Sequence, residues 1–129
     1  MPRFSKRSTV KLLSCDEQLI VLFNEVIKTY DCSILCGHRG EQAQNEAFKN
    51  NRSSLAWPES KHNLYPSIAV DVAPYPINWN DSGRFYMFAG YVKRIAEELN
   101  ISIRYGGDWN SDTFTTDQQF NDLVHFELR

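Results

Sequence analysis

Apolar residues recur at helical spacing in two clear stripes and collect into short strand-like runs elsewhere along the chain. The strongest stripe is Phe85, Phe88, Ala89, Val92, Ile95, Ala96 and Leu99, which predicts a helix over residues 82–100 with one face in the core. Leu19, Ile20, Phe23, Val26 and Ile27 predict an earlier amphipathic helix running to residue 30. Its start reads as a capping box, with Ser14 as the cap and Glu17 three residues on. A weaker helix is expected over residues 40–49, marked only by Ala43, Ala47 and Phe48. Short apolar or β-branched runs bounded by turn residues predict strands at 32–37, 68–72, 101–105 and 123–128. The polar stretch 50–67, broken by Pro58 and Pro66, reads as a long loop, and loops of that length inside compact domains usually carry function. These elements imply an α+β fold: a small, mostly antiparallel sheet with helices packed on one face.

Composition narrows this reading without changing it. A chain of 129 residues suits one domain, large enough to bury about two thirds of its unfolded surface without disulfides. With 42% hydrophobic and 23% charged residues there is no case for disorder. Residues 1–13 carry Arg3, Lys6, Arg7 and Lys11 with no acid, and read as a basic N-terminal extension to a domain over 14–129. This stretch lacks the apolar core of a signal peptide, and the longest apolar run, Leu19 to Phe23, is too short to span a bilayer. Neither export by the standard route nor membrane insertion is expected. A net charge of -2 argues against a nucleic-acid partner, whose phosphates are bound by clustered Lys and Arg. In a strand, Cys32 and Cys36 stand roughly 13 Å apart, too far for a disulfide or a shared zinc. The three cysteines are therefore expected to be small buried thiols.

The candidate chemistry lies in two polar clusters more than fifty residues apart in sequence. One runs from Ser60-Lys61-His62 into Ala69-Val70-Asp71, and the other is Asp122-Leu123-Val124-His125-Phe126-Glu127. Two imidazoles and a carboxylate suit a hydrolytic zinc site, in which three protein ligands leave the fourth position to water. His62, Asp71 and His125 would be the ligands of one Zn2+, and Asp122 would act as the base toward the water. Asp71 lies in an apolar strand, where an unpaired carboxylate is costly and a metal would meet the need for a cation. Glu127 falls on the same strand face as His125 and would orient its ring.

The patterns Ser60-x-His62, Ala69-x-Asp71 and Asp122-x-x-His125-x-Glu127 resemble the zinc peptidase family of D-Ala-D-Ala carboxypeptidases and L-alanyl-D-glutamate endopeptidases, which includes phage cell-wall lysins. Cys36-Gly37-His38-Arg39-Gly40-Glu41-Gln42 looks like the family's Gly-aromatic-Arg segment, and Tyr105-Gly106-Gly107-Asp108-Trp109 like its turn before the site. The resemblance spans residues 14–129, with one departure: the interval from His62 to Asp71 is two residues longer than usual, and Asn63-Leu64-Tyr65-Pro66-Ser67 replaces a glycine turn.

The resemblance implies a Hedgehog/DD-peptidase-like fold and a single zinc peptidase catalytic domain acting on peptidoglycan stem peptides. It gives Arg39 the developing oxyanion or a substrate carboxylate, Gln42 a supporting hydrogen bond to Arg39, Ser60 a loop-orienting or substrate-contacting role, and Asp108 and Trp109 places along the cleft. His38 stands where the family has an aromatic residue and is not expected to be a ligand. An endolysin of the L-alanyl-D-glutamate endopeptidase type would act as a monomer and accumulate in the host cytoplasm. It would need a separate membrane-permeabilising protein to reach the wall. Competing expectations are a D-Ala-D-Ala carboxypeptidase or dipeptidase, a zinc-containing stem-peptide-binding module without turnover, and a virion-attached wall peptidase.

Overall fold

A computed structural model describes residues 2–116 and 121–129. Among these residues the elements run α1 (Lys6–Leu13), α2 (Glu17–Ile27), β1 (Cys32–Cys36), α3 (Glu41–Lys49), a 3-10 turn (Lys61–Asn63), β2 (Ala69–Pro74), α4 (Ser82–Glu98), β3 (Ile103–Tyr105) and β4 (His125–Leu128). The strands form an open sheet in the order β1-β2-β4-β3, with each neighbouring pair antiparallel. This is the α+β arrangement that the hydrophobic pattern implies.

Strand alternation gives the sheet two unlike faces. Val70 pairs with Phe126 across β2 and β4, and Tyr105 pairs with Phe126 across β3 and β4. These side chains, with Val72 and Ile34, join Leu19, Leu22, Phe23, Val26, Phe88, Ala89 and Val92 of α2 and α4 in one core. Phe126 sits at its centre, with ring centroids 5.5 Å from Phe23, 6.2 Å from Phe88 and 5.0 Å from Tyr105. On the opposite side of the same strands, Asp71 is paired with His125 and Ala69 with Glu127. Cross-strand partners on one face bring their Cβ atoms within about 5 Å, so this register alone places a carboxylate beside an imidazole.

The N-terminal stretch does not stand apart from the domain. Residues 6–13 form α1, whose Leu12 is buried in the core and whose Ser8 hydroxyl accepts the Ile34 amide at 3.0 Å. That bond covers the outer edge of β1, the kind of edge that otherwise invites pairing with another chain. Ser14 likewise belongs to the end of α1 rather than to the start of α2; the cap of α2 is Asp16, which accepts the Gln18 amide. Glu17 is the first helical residue, so the Ser-x-x-Glu spacing is fortuitous here.

Candidate active site

Four backbone segments deliver the site. Ser60 caps the 3-10 turn, its hydroxyl accepting the His62 amide at 3.2 Å while the Asn63 side chain accepts the Ser60 amide at 3.0 Å. His62 is thereby set at the mouth of the loop with its ring directed to the sheet. The longer interval that follows bulges outward at Leu64 and Tyr65, both exposed, and is tied back at Ser67. There the Ser67 amide donates to the Ser14 carbonyl and the Asp16 amide donates to the Ser67 carbonyl. The extra residues are thus absorbed before β2 begins, and Asp71 keeps its place opposite His125.

His62, Asp71 and His125 are all buried, and one ligand atom from each can be chosen so that all three lie within 4.8 Å of one another. His62 Nδ1 donates to the Gly37 carbonyl at 2.8 Å, which turns Nε2 toward Asp71 Oδ1 at 3.1 Å. His125 Nε2 donates to Glu127 Oε1 at 2.8 Å, which turns Nδ1 toward the same Asp71 oxygen at 3.3 Å. Each ring has its outer nitrogen held by an acceptor and its inner nitrogen aimed at one point, the arrangement metal-binding histidines typically show. Burial works against charging His62, but hydrogen bonds to Asp71 and Cys36 win, and its pKa is pushed up to about 10. His125 is raised too: hydrogen bonds to Asp71 and Glu127 overcome its burial. The two rings in turn hold the Asp71 carboxyl below the usual range in spite of its burial. A divalent cation would satisfy the same inward-facing nitrogens and carboxylate without either added proton, so this donor set fits a zinc ion.

Asp122 stands beside this group, its Oδ2 3.9 Å from His125 Nδ1, and its side chain remains 28% exposed. Burial, followed by the negative charge of Asp71, raises its pKa, while the histidines pull the other way. Its backbone is fixed by a close approach at Gly106: the Asp122 amide donates to the Gly106 carbonyl at 3.0 Å, and the Gly106 amide donates to His125 O at 2.8 Å. A Cβ at residue 106 would lie 2.2 Å from the Asp122 carbonyl oxygen, so only glycine permits this turn. Gly37 is equally constrained, since a Cβ there would meet the Lys11 carbonyl at 2.2 Å and Ser14 Oγ at 2.4 Å. The end of α1 therefore helps place the carbonyl that orients His62.

Arg39 is held rather than free. Its Nη2 lies 3.5 Å from Asp71 Oδ2, and its Nη1 donates to Gln44 Oε1 at 3.0 Å. Gln44, not Gln42, is the supporting amide. Gln42 is exposed on the outer side of α3 and among the described residues reaches only Glu46, whereas Gln44 is fully buried and also takes a bond from Asn63. Gln44 lies three residues before Ala47, on the same helix face, which is the signal that could have singled it out. Asp108 also departs from expectation. It pairs with Lys93 at 3.2 Å and accepts the amides of Asp112 and Thr113, so it anchors the following loop instead of lining the cleft. Trp109 does line it, with its ring 5.3 Å from that of His125 and Arg104 stacked on it. Two cations missed from sequence, Lys61 and Arg104, both bind Glu127 Oε2, at 2.8 and 2.7 Å. Cys36, expected to be a buried thiol, is only partly buried, and its sulfur accepts from Arg39 Nη2 at 3.5 Å at the edge of the site. His38 is not part of the metal group; its Nδ1 donates to the Leu64 carbonyl at 3.0 Å.

A buried trio of two imidazoles and a carboxylate on the open face of a sheet, with a further carboxylate beside it and a cleft above, is the equipment of a hydrolase. Comparison with known proteins makes the class specific. The profile of the phage L-alanyl-D-glutamate peptidase family matches residues 1–129, and the chain belongs to that family of peptidases. It is 31% identical to the L-alanyl-D-glutamate peptidase of Escherichia phage T5, over 84% of this chain and 82% of that protein. The crystal structure of the Serratia marcescens L-Ala D-Glu endopeptidase ChiX has the same fold, with a TM-score of 0.76 and 23% identity over 99% of this chain and 91% of that one.

Proposed function

We propose that the protein is a phage endolysin that hydrolyses the L-alanyl-D-glutamate bond of peptidoglycan stem peptides, using one zinc ion held by His62, Asp71 and His125. The observation that carries this reading is the convergence of His62 Nε2, His125 Nδ1 and Asp71 Oδ1 with Asp122 alongside. A zinc ion in this position supplies Lewis acidity, lowering the pKa of water to about 7 and polarising a carbonyl.

The chain's own residues do the rest. Asp122 takes the proton of the attacking water and returns it to the departing amine, a role that suits a partly exposed carboxylate 3.9 Å from His125 Nδ1. Arg39, held by Gln44 and Asp71, presents fixed positive charge to the oxygen of the carbonyl under attack. Gly37 and Glu127 keep both imidazoles in the tautomers that face inward. Trp109 shields the His125 ring from solvent on one side. As a lysin the protein would act as a monomer, be made in the host cytoplasm and reach the wall through a separate membrane-permeabilising protein.

The test is digestion of purified peptidoglycan by zinc-loaded and by chelator-stripped protein, with mass analysis of the products. New glutamyl amino termini that appear only with metal are expected. Release of D-alanine instead would make the protein a carboxypeptidase, and no release under either condition would leave it a binding module.

A further inference from the structure

The cleft continues past the metal ligands in two directions. Glu59, Lys61 and Arg104 mark one wing, Leu35, Trp79 and Val124 mark the other, and Arg39, Arg52 and Asp122 border both. One wing is therefore rich in charge and the other largely apolar.

Most cations near the reacting centre are already engaged. Lys61 and Arg104 share Glu127, and Arg39 is taken by Asp71 and Gln44. Arg52 differs. Its guanidinium is exposed and makes no hydrogen bond or ion pair among the described residues, not even with Glu59 in the same wing. Its backbone is nonetheless well placed, with the amides of Arg52 and Ser53 both donating to the Ala47 carbonyl, at 2.8 and 3.2 Å. Gln44, which holds Arg39, also donates to Ser53 Oγ at 3.0 Å. One buried amide thus fixes both the arginine beside the metal ligands and the turn that projects the second arginine over the cleft.

The bond proposed above has alanine on its acyl side and glutamate on its amine side. Glutamate has two carboxyl groups, and only one can continue the peptide; the other is a free anion a few bonds from the nitrogen that is released. A planar guanidinium with its donors unspent is the group best matched to such a carboxylate. Resting on the proposed function, we infer that Arg52 forms the subsite for this free carboxylate and makes the enzyme selective for glutamate over its amide at that position. Arg52 is a specificity determinant, and it does not touch the atoms of the bond that breaks.

The experiment measures kcat and KM of the zinc-loaded full chain on two synthetic stem peptides, one with the free glutamyl carboxylate and one with that carboxyl amidated. The parent is expected to favour the acid by about tenfold or more in kcat/KM, chiefly through KM. In Arg52→Ala that preference should collapse toward one, with the larger loss on the acid peptide, and Arg52→Lys should restore part of it. Circular dichroism and zinc content check that each variant is folded and loaded. An active parent without preference, or an Arg52→Ala variant that keeps the parent's preference, overturns the inference while leaving the proposed function standing. A parent that cleaves neither peptide overturns both.

Discussion

The two faces of one small sheet obey different rules. On the helix side, Val70, Val72, Tyr105 and Phe126 meet α2 and α4 through apolar contact alone, and what matters there is volume and shape. On the open side, Asp71, His125 and Glu127 come from the same strands, alternate with those residues, and are nearly as buried. Their polar atoms are all engaged: among the described residues no buried side-chain nitrogen or oxygen lacks a partner. The first face secures the fold, and the second holds charged groups in fixed orientations that the first makes affordable. Substitutions on the two faces should therefore fail differently, in stability on one and in chemistry on the other.

The sharpest separation is expected from the proposed metal ligands. His62→Ala or His125→Ala should lose bound zinc and peptidase activity together, read by metal analysis of the purified protein beside a peptidoglycan digestion assay; full zinc retention by either variant would remove that residue from the ligand set. Asp122→Ala should retain zinc and lose about 10²- to 10⁴-fold in kcat. Equal turnover by this variant and the parent would deny Asp122 the role of base. On the other face, Phe126→Ala should cost about 3–5 kcal/mol of stability by emptying the centre of the core. Urea unfolding reads that loss, and a change of under 1 kcal/mol would show that the core is not centred there. Glu127→Gln should weaken zinc affinity about 10- to 100-fold without abolishing it, seen by competition with a chelator.

The smallest expected effect separates two glutamines on one helix. Gln44→Ala should destabilise by about 1–3 kcal/mol, because Arg39 and Asn63 lose a buried acceptor, whereas Gln42→Ala should stay within about 0.5 kcal/mol. Equal effects in thermal melts would erase the distinction between the buried and exposed sides of α3.

The sequence by itself was enough for the class of fold, the long amphipathic α4, the strands and the trio His62, Asp71 and His125 that could hold a metal, because each rests on a local period or on the chemistry of a few residue types. Asp122, His125 and Glu127 lie within six positions, and a strand's alternation puts the last two on one face. What needed the tertiary structure were pairings between distant segments. Ser14 looks like the cap of the next helix until α1 is seen to pack on β1, and the basic first residues look external until Leu12 is found in the core. Gln42 and Gln44 are alike in type and nearly adjacent in position, and only the contact of α3 with Arg39 and the loop after it tells them apart. Local order follows from short-range sterics and periodicity. The partner of a buried polar group is set instead by which remote segment the folded chain brings within hydrogen-bonding distance, and no spacing along the sequence encodes that.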